Sequence, residues 1–287
     1  MRLVFLSLCL LLPLAMPAQQ ATIETATQDH AVHSGSPFVV HVTGLGRGTA
    51  TVTGRFMDKQ LTFFPDGNGG QFALLGADVE TNPGRYRLTL LVNSPRIGEH
   101  DLSLTVPVLE AHYRTAKLSV EPGFVEPNPA EKAQIATDQK LKDAAFARAS
   151  DGRLWQANFA APVQAAATDS FGTRRIFNGK LASIHKGQDY RAASGTAVHA
   201  ANDGTVLLAA SLYYEGNCVI VDHGAGLVTL YMHLSHFNVK TGEHITKGQL
   251  LGLSGATGRV TGPHLHFAVR WQGAYLDPAQ LLKLKLP

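Results

Sequence analysis

The chain reads as all-β, with two β domains joined by a short helical linker and preceded by a leader segment. Three observations predict this. Short alternating apolar runs fill the front half, one helical pattern stands alone in the middle, and a second set of alternating runs fills the back. A length of 287 residues exceeds one average domain, so two cores are the default expectation. The resulting division is a signal peptide at 1–18, an N-terminal β-sandwich at 21–120, a linker with one helix at 121–165, and a C-terminal domain at 166–287.

Met1 to Ala18 carries a basic Arg2, an apolar run from Leu3 to Met16 and a small residue at Ala18, the pattern of a secretory signal. Pro13 breaks the run, and it is shorter than the ~18 to 20 apolar residues of a membrane span. The expectation is export, to the periplasm or cell envelope. Cys9 falls in the leader, which leaves Cys218 alone in NCVIVD, where alternation with Val219 and Val221 marks a small buried residue rather than a disulfide partner. The formal net charge is +3, and losing Arg2 with the leader makes it +2. That excess is too small to argue for nucleic acid.

From Ala21 to Val120 the runs PFVVHVTG, TATVTGRF, QFALLG, RYRLTLLV and DLSLTVPV alternate between turns such as PDGNGG and TNPGRY. That rhythm predicts a sandwich, for which an immunoglobulin-like layout is one candidate. His30, His33, His41, His100 and His112 are scattered here without a paired ligand spacing and read as surface or structural. Prolines between Glu121 and Pro129 mark the boundary. Asn128 then caps a helix with Pro129 at its first position and Glu131 three after the cap. The pattern runs to about Ala149 with Leu141, Ala144, Ala145 and Ala149 on one side, and reads as a bracket between domains. Behind it, strand candidates at 204–210, 217–222, 227–233, 250–253 and 264–271 are separated by turns such as NDG and HGAG. With so few helices between them they should be antiparallel.

The chemistry concentrates in two stretches. In TGPHLHFAVR, strand alternation puts His264 and His266 on one face, about 6.6 Å apart, and Leu265, Phe267 and Val269 on the other. In SIHKGQDY, His185 and Asp189 add a histidine and a carboxylate, and a His, a carboxylate and a second His supply the three ligands of an open zinc site. Four residues of strand span about 13 Å, so the pair needs a bend, which Gly187 permits. The expected local structure is a strand end, a turn and the next strand. Alternation through Leu227 to His233 places His233 with Thr229 and Tyr231 on an exposed sheet face, with Val228, Leu230 and Met232 toward a core. GATGRVTG has no Gly-Lys-Ser/Thr ending, so it reads as a loop approaching substrate, not a nucleotide site.

On the H-x-x-x-D of His185 and Asp189, YMHLS around His233 and GPHLHF around His264 and His266, the chain resembles the lysostaphin (LytM)-type zinc endopeptidases that cut peptide cross-links in bacterial cell walls. The resemblance runs from about Ser170 to Pro278. It implies one zinc ion held by His185, Asp189 and His266, with His233 and His264 facing the substrate as catalytic histidines. The implied partners are peptidoglycan stem or cross-link peptides, with an envelope protein as a further candidate partner for the N-terminal domain. Three ligands leave a fourth position for water, whose pKa falls to about 7 on zinc. No glutamate is placed as base, so one of His233 and His264 takes the proton while the other assists the oxyanion and leaving amine.

Rivals are weaker. Carboxypeptidases that trim terminal D-alanine place their aspartate further from the first histidine. Biotinyl and lipoyl carriers share hairpins like VKTGEHITKGQLLG, but the Met-Lys-Met of a biotin carrier is missing. A catalytically inactive relative that activates an amidase or scaffolds wall remodelling would lack the ligands present here. No wall-targeting module is evident after the C-terminal domain, which favours D-alanyl-meso-diaminopimelyl cross-links of the Gram-negative type. The front half is expected either to restrain the site by occlusion or to dock on a partner.

Overall fold

The computed structural model describes residues 21–25, 31–45, 49–95, 98–119 and 125–287. The leader, with Cys9, and His30 lie outside these residues. The architecture is all-β, with α-helices among the described residues only at Pro129–Phe146 and Pro278–Leu281.

The front region holds two sheets. One runs in the order Thr22–Thr25, Pro37–Thr43, Gln71–Gly76 and Phe64–Pro65; the other runs Val32–His33, Gly98–Leu109, Gly84–Ser94, Thr51–Phe56 and Lys59–Leu61. In Gly84–Ser94 the period of two holds: Leu88, Leu90 and Val92 are buried while Arg87, Thr89 and Leu91 face out. Phe38 of the first sheet meets Phe56 of the second edge-on at 5.5 Å, the T-shaped geometry that aromatic quadrupoles favour.

The back region is a ten-stranded sheet whose main path runs Ala167–Asp169, Gln188–Tyr190, Leu265–Trp271, Leu227–Phe237, Gly216–Gly224, Gly204–Leu212 and His244–Ile245. Its neighbours pair antiparallel, as expected. One departure matters for the site. Thr115–Leu118, from the end of the front region, pairs parallel with Arg174–Phe177, extending the hairpin that Arg174–Phe177 makes with Lys180–Ile184. The front region therefore contributes a strand next to His185.

The expectation of two separate cores is corrected. A single apolar cluster joins Phe38, Phe56 and Phe72 of the front to Trp155, Tyr231, Phe267 and Trp271 of the back. Phe64 packs edge-on against Trp155 at 5.7 Å, and a Cβ added at Gly76 would come within 2.4 Å of Leu276. A second cluster, with Ala145, Leu208, Cys218, Ile220, Val228, Leu230 and Ala268, covers the opposite face of the large sheet. Cys218 is fully buried there, and burial pushes its thiol pKa well up, which makes it unreactive.

The helix starts as its sequence predicts, with a complete Asn128–Glu131 capping box. Ala145 and Ala149 of the expected side pack on the large sheet, but the rest of that side does not. Leu141 is 41% exposed, whereas Asp138 is buried and its carboxylate accepts from Tyr213 N at 2.6 Å and Gln134 Nε2 at 2.7 Å. Ala145 packs on the large sheet, Arg148 Nη2 donates to Leu207 O, and Lys142 pairs with Glu215. The helix thus docks on the back sheet. Besides the shared apolar cluster and the Thr115–Leu118 pairing, the two regions meet at the C-terminal segment, where Asp78 Oδ2 accepts from Tyr275 N at 2.7 Å and Gly35 O from Asp277 N at 2.7 Å.

Candidate metal centre and cleft

Strand register brings the sequence-distant residues together. Asp189 lies directly opposite His266, and His266 directly opposite Met232. His185 follows the Lys180–Ile184 strand, a turn intervenes, and Gln188–Tyr190 begins three residues later, which is the expected bend. The role of Gly187 is different from the expected one. Its φ lies outside the left-handed region, and what it supplies is space: a Cβ there would meet His266 Nε2 at 2.4 Å and Phe267 O at 2.7 Å.

Three donor atoms converge. His185 Nε2 is 3.0 Å from Asp189 Oδ1 and 2.9 Å from His266 Nδ1, which is 2.8 Å from Asp189 Oδ1. All three residues are buried. Donors on a tetrahedral zinc are roughly 3.3 Å apart, so an ion at about 2.0–2.2 Å from each would open this cluster only slightly. The donor set fits the group chemically as well. His185 Nδ1 lies 3.0 Å from the Ser170 carbonyl and is assigned the proton that donates to it, which leaves the Nε2 lone pair facing Asp189 and His266. Two imidazole nitrogens and a carboxylate oxygen packed this closely call for a cation between them.

The surroundings tune these groups. Burial pushes the Asp189 carboxyl up, but its close contacts with the His185 and His266 rings overcome that and hold the pKa far below the carboxylate range. Arg175 Nη2 donates to Asp189 Oδ2 at 2.6 Å and to Asp169 Oδ2 at 2.7 Å, so the outer oxygen is occupied and Oδ1 faces the centre. Burial, only partly offset by Asp189, lowers His266 to about 4.

His233 corrects the expected face. Strict alternation would turn it with Thr229 and Tyr231 toward the shared core, and that face is fully buried, not exposed. The backbone at His233 instead adopts φ 63°, in the left-handed region, within a register shift between Tyr231 and Leu234 in the pairing with Gly216–Gly224. This bulge re-aims the side chain to the face of Met232 and Ala268. Its ring centroid lies 4.8 Å from that of His264 and 6.0 Å from that of His266. His233 Nδ1 lies 2.8 Å from Thr257 O, and His264 Nδ1 2.8 Å from Gly262 O, so each anchors one nitrogen and turns Nε2 outward. His264 Nε2 stands 3.7 Å from Asp189 Oδ1. Burial, reinforced by the charges of His266 and His264, lowers His233 to about 3, which keeps it neutral.

These residues lie in a cleft of about 600 Å³. Arg114, Ala116 and Leu118 of the front region line its wall, together with Arg259, Tyr214 and Glu215. Among the described residues no front-region histidine joins the three donors. Arg175, Asp169 and Thr257 were not legible as site residues; the paired arginines after SFGT were the only signal. The GATGRVTG loop lines this cleft through Arg259, Val260, Thr261 and Gly262, and its backbone also makes a close approach inside the fold. A Cβ at Gly258, whose φ is +75°, would meet Gly216 N at 2.3 Å.

The C-terminal part of the chain is similar to known proteins. Residues 183–278 match the model for peptidase family M23. The peptidoglycan DD-endopeptidase ShyA of Vibrio cholerae is 39% identical over 121 residues, which are 42% of this chain and 27% of that protein. The DD-carboxypeptidase/endopeptidase Mpg of Neisseria meningitidis is 40% identical over 98 residues, 34% of this chain and 23% of that protein. The chain thus spans about a quarter of the length of these curated relatives. A solved Pseudomonas aeruginosa structure assigned to peptidase M23 superposes with a TM-score of 0.67 at 27% identity, covering 87% of this chain and 94% of that one.

Proposed function

We propose that this chain, whose residues 183–278 match the model for peptidase family M23, is a zinc metalloendopeptidase hydrolysing peptide cross-links of peptidoglycan outside the cytoplasm, where its leader would direct it. The observation that carries the reading is the convergence of His185 Nε2, Asp189 Oδ1 and His266 Nδ1 within 3.0 Å of one another, beside two further imidazoles in an open cleft. One zinc ion held there would supply a water of pKa about 7 and polarise the scissile carbonyl.

The chain's own groups do the rest. Arg175 fixes Asp189 by its outer oxygen, and the Ser170 carbonyl fixes the His185 tautomer. His233, neutral through burial and anchored on Thr257 O, presents Nε2 to accept the proton of the attacking water. His264, the more open of the pair, steadies the developing oxyanion when its Nε2 carries a proton, and the proton that His233 takes from the water is passed on to the leaving amine. The front region completes the cleft wall through Thr115–Leu118, so a fragment starting at Ala166 should cut a small soluble cross-linked peptide more slowly than the mature chain. Faster cutting by the fragment would instead mark the front region as a restraint.

The names of the relatives point to D-alanyl bonds. The test is digestion of purified sacculi by the zinc-loaded mature chain, with a chelated control, and identification of every new amino terminus. New diaminopimelyl amino groups are expected. Release of free D-alanine alone would reassign the chain as a carboxypeptidase, and no product from well-folded, zinc-loaded protein would remove the peptidase reading.

A further inference from the structure

The cleft contains a guanidinium that the reaction described above does not use. Arg259 lies in the loop between the strands Leu250–Ser254 and Leu265–Trp271, and it lines the same cleft as His185, Asp189, His233 and His264. Its guanidinium carbon sits 4.4 Å from the ring centre of Tyr214 and 5.0 Å from that of Phe177. Two ring faces therefore hold the planar group, which suits arginine and not lysine.

The backbone beneath it is clamped as tightly. Arg259 N donates to Tyr214 O at 2.9 Å, and the glycines at 258 and 216 face each other so closely that a Cβ on either would meet the other segment at 2.3 Å. Thr257, two residues away, receives Asn217 N on its hydroxyl at 2.8 Å and anchors His233 through its carbonyl. One loop thus sets both Arg259 and a catalytic histidine.

What the guanidinium lacks is an anion. The other half-buried arginine of the cleft, Arg175, is consumed by Asp169 and Asp189, while Arg114 pairs with Asp169 and Lys186 with Glu80. Arg191 is exposed, where an ion pair is worth little. Arg259 is half-buried, and no carboxylate stands within ion-pair distance among the described residues. A half-buried fork of donors, stacked in place and facing a cleft, is suited to bidentate binding of a carboxylate.

We propose that Arg259 is the carboxylate anchor of the cleft, a specificity-determining residue that grips the free carboxylate next to the scissile amide of the substrate peptide. This rests on the peptidase reading above, which supplies the chemistry: in a D-alanyl-diaminopimelyl cross-link, the carbon bearing the scissile nitrogen also bears a free carboxylate. Gripping it orients the leaving amine and favours such cross-links over bridges of neutral residues.

The test uses two soluble cross-linked peptides, one with this carboxylate free and one with it amidated, and the full zinc-loaded mature chain. Hydrolysis is read for the parent, Arg259→Gln and Arg259→Lys, and binding is read on the same chains carrying His264→Ala. The parent should prefer the free acid by about 10- to 100-fold, as loss of a charge-assisted pair implies. Arg259→Gln should lose that factor on the acid and become indifferent to amidation, with Arg259→Lys between them. Equal losses on both peptides would make Arg259 a purely structural residue and overturn the proposal. A parent indifferent to amidation would overturn it too, without any variant. Should the parent cleave neither peptide, the peptidase reading falls, and the affinities alone then decide the anchor.

Discussion

A single methyl group at position 187 probes the metal centre without touching a ligand. In Gly187→Ala the new Cβ would lie 2.4 Å from His266 Nε2, 2.6 Å from its Cε1 and 2.7 Å from Phe267 O. The backbone is not in the left-handed region, so steric overlap is the whole effect. The closest contact is roughly 0.6 Å inside the 3.0 Å that real Cβ atoms respect, an overlap of the kind that costs about 1–3 kcal/mol when a packed site must shift. Relief requires either turning the His266 ring or sliding Gln188–Tyr190 off Leu265–Trp271, and Asp189 sits in that strand opposite His266. Either movement exceeds the ±0.2 Å within which ligand distances must fall, so zinc affinity should drop by about 10- to 100-fold. Chelator competition measures the affinity and a thermal melt the packing cost. A variant that binds zinc as tightly as the parent and melts with it would refute the placement of Gly187 against His266.

Further outcomes follow from other residues. His233→Ala and His264→Ala should each keep zinc yet lose about 100-fold or more in turnover; and because residue 233 has φ 63°, His233→Gly should be about 1 kcal/mol more stable than His233→Ala, reversing the usual order. Parental turnover in both alanine variants would remove their catalytic roles. Arg175→Met should free Asp189 Oδ2 and weaken zinc binding by about 10-fold or more, measured by the same competition, whereas unchanged affinity would show the Arg175–Asp189 contact to be idle. His223, fully buried between Asp203 O and Thr229 Oγ1, has its pKa lowered by burial to about 4 from 6.5. The unfolded chain then binds the extra proton first, so stability is complete above about 6.5 and is lost as pH falls toward 4. Relative to His223→Gln the parent should lose about 2 kcal/mol between pH 7 and pH 5 in denaturant titrations. A pH-independent difference would contradict the buried neutral imidazole.

What the sequence made legible was local periodicity. The alternation of HLHFAV fixes which side His264 and His266 occupy, and the structure puts Leu265, Phe267 and Val269 in the core on the other. The same reasoning failed at His233, because alternation assumes an unbroken strand and one left-handed residue inverts the side. Gly187 was singled out for a sound reason of the wrong kind: flexibility is written in a glycine's identity, whereas clearance depends on a ring 79 residues away. Long-range facts left no local trace. Parallel pairing of Thr115–Leu118 with Arg174–Phe177 has no turn signature, and the cluster joining Phe64 to Trp155 is invisible in either segment alone. Asp138 faces inward because a backbone amide at Tyr213 awaits it, which no helical pattern announces.

The central claim is that one zinc ion is held by His185, Asp189 and His266, and anomalous diffraction at the zinc edge from crystals of the zinc-loaded chain tests it most directly. A single peak about 2.0–2.2 Å from His185 Nε2, Asp189 Oδ1 and His266 Nδ1, with Nε2 of His233 and His264 facing it unligated, is the predicted result. A peak ligated by His264 in place of His266, or located away from Asp189, would contradict it.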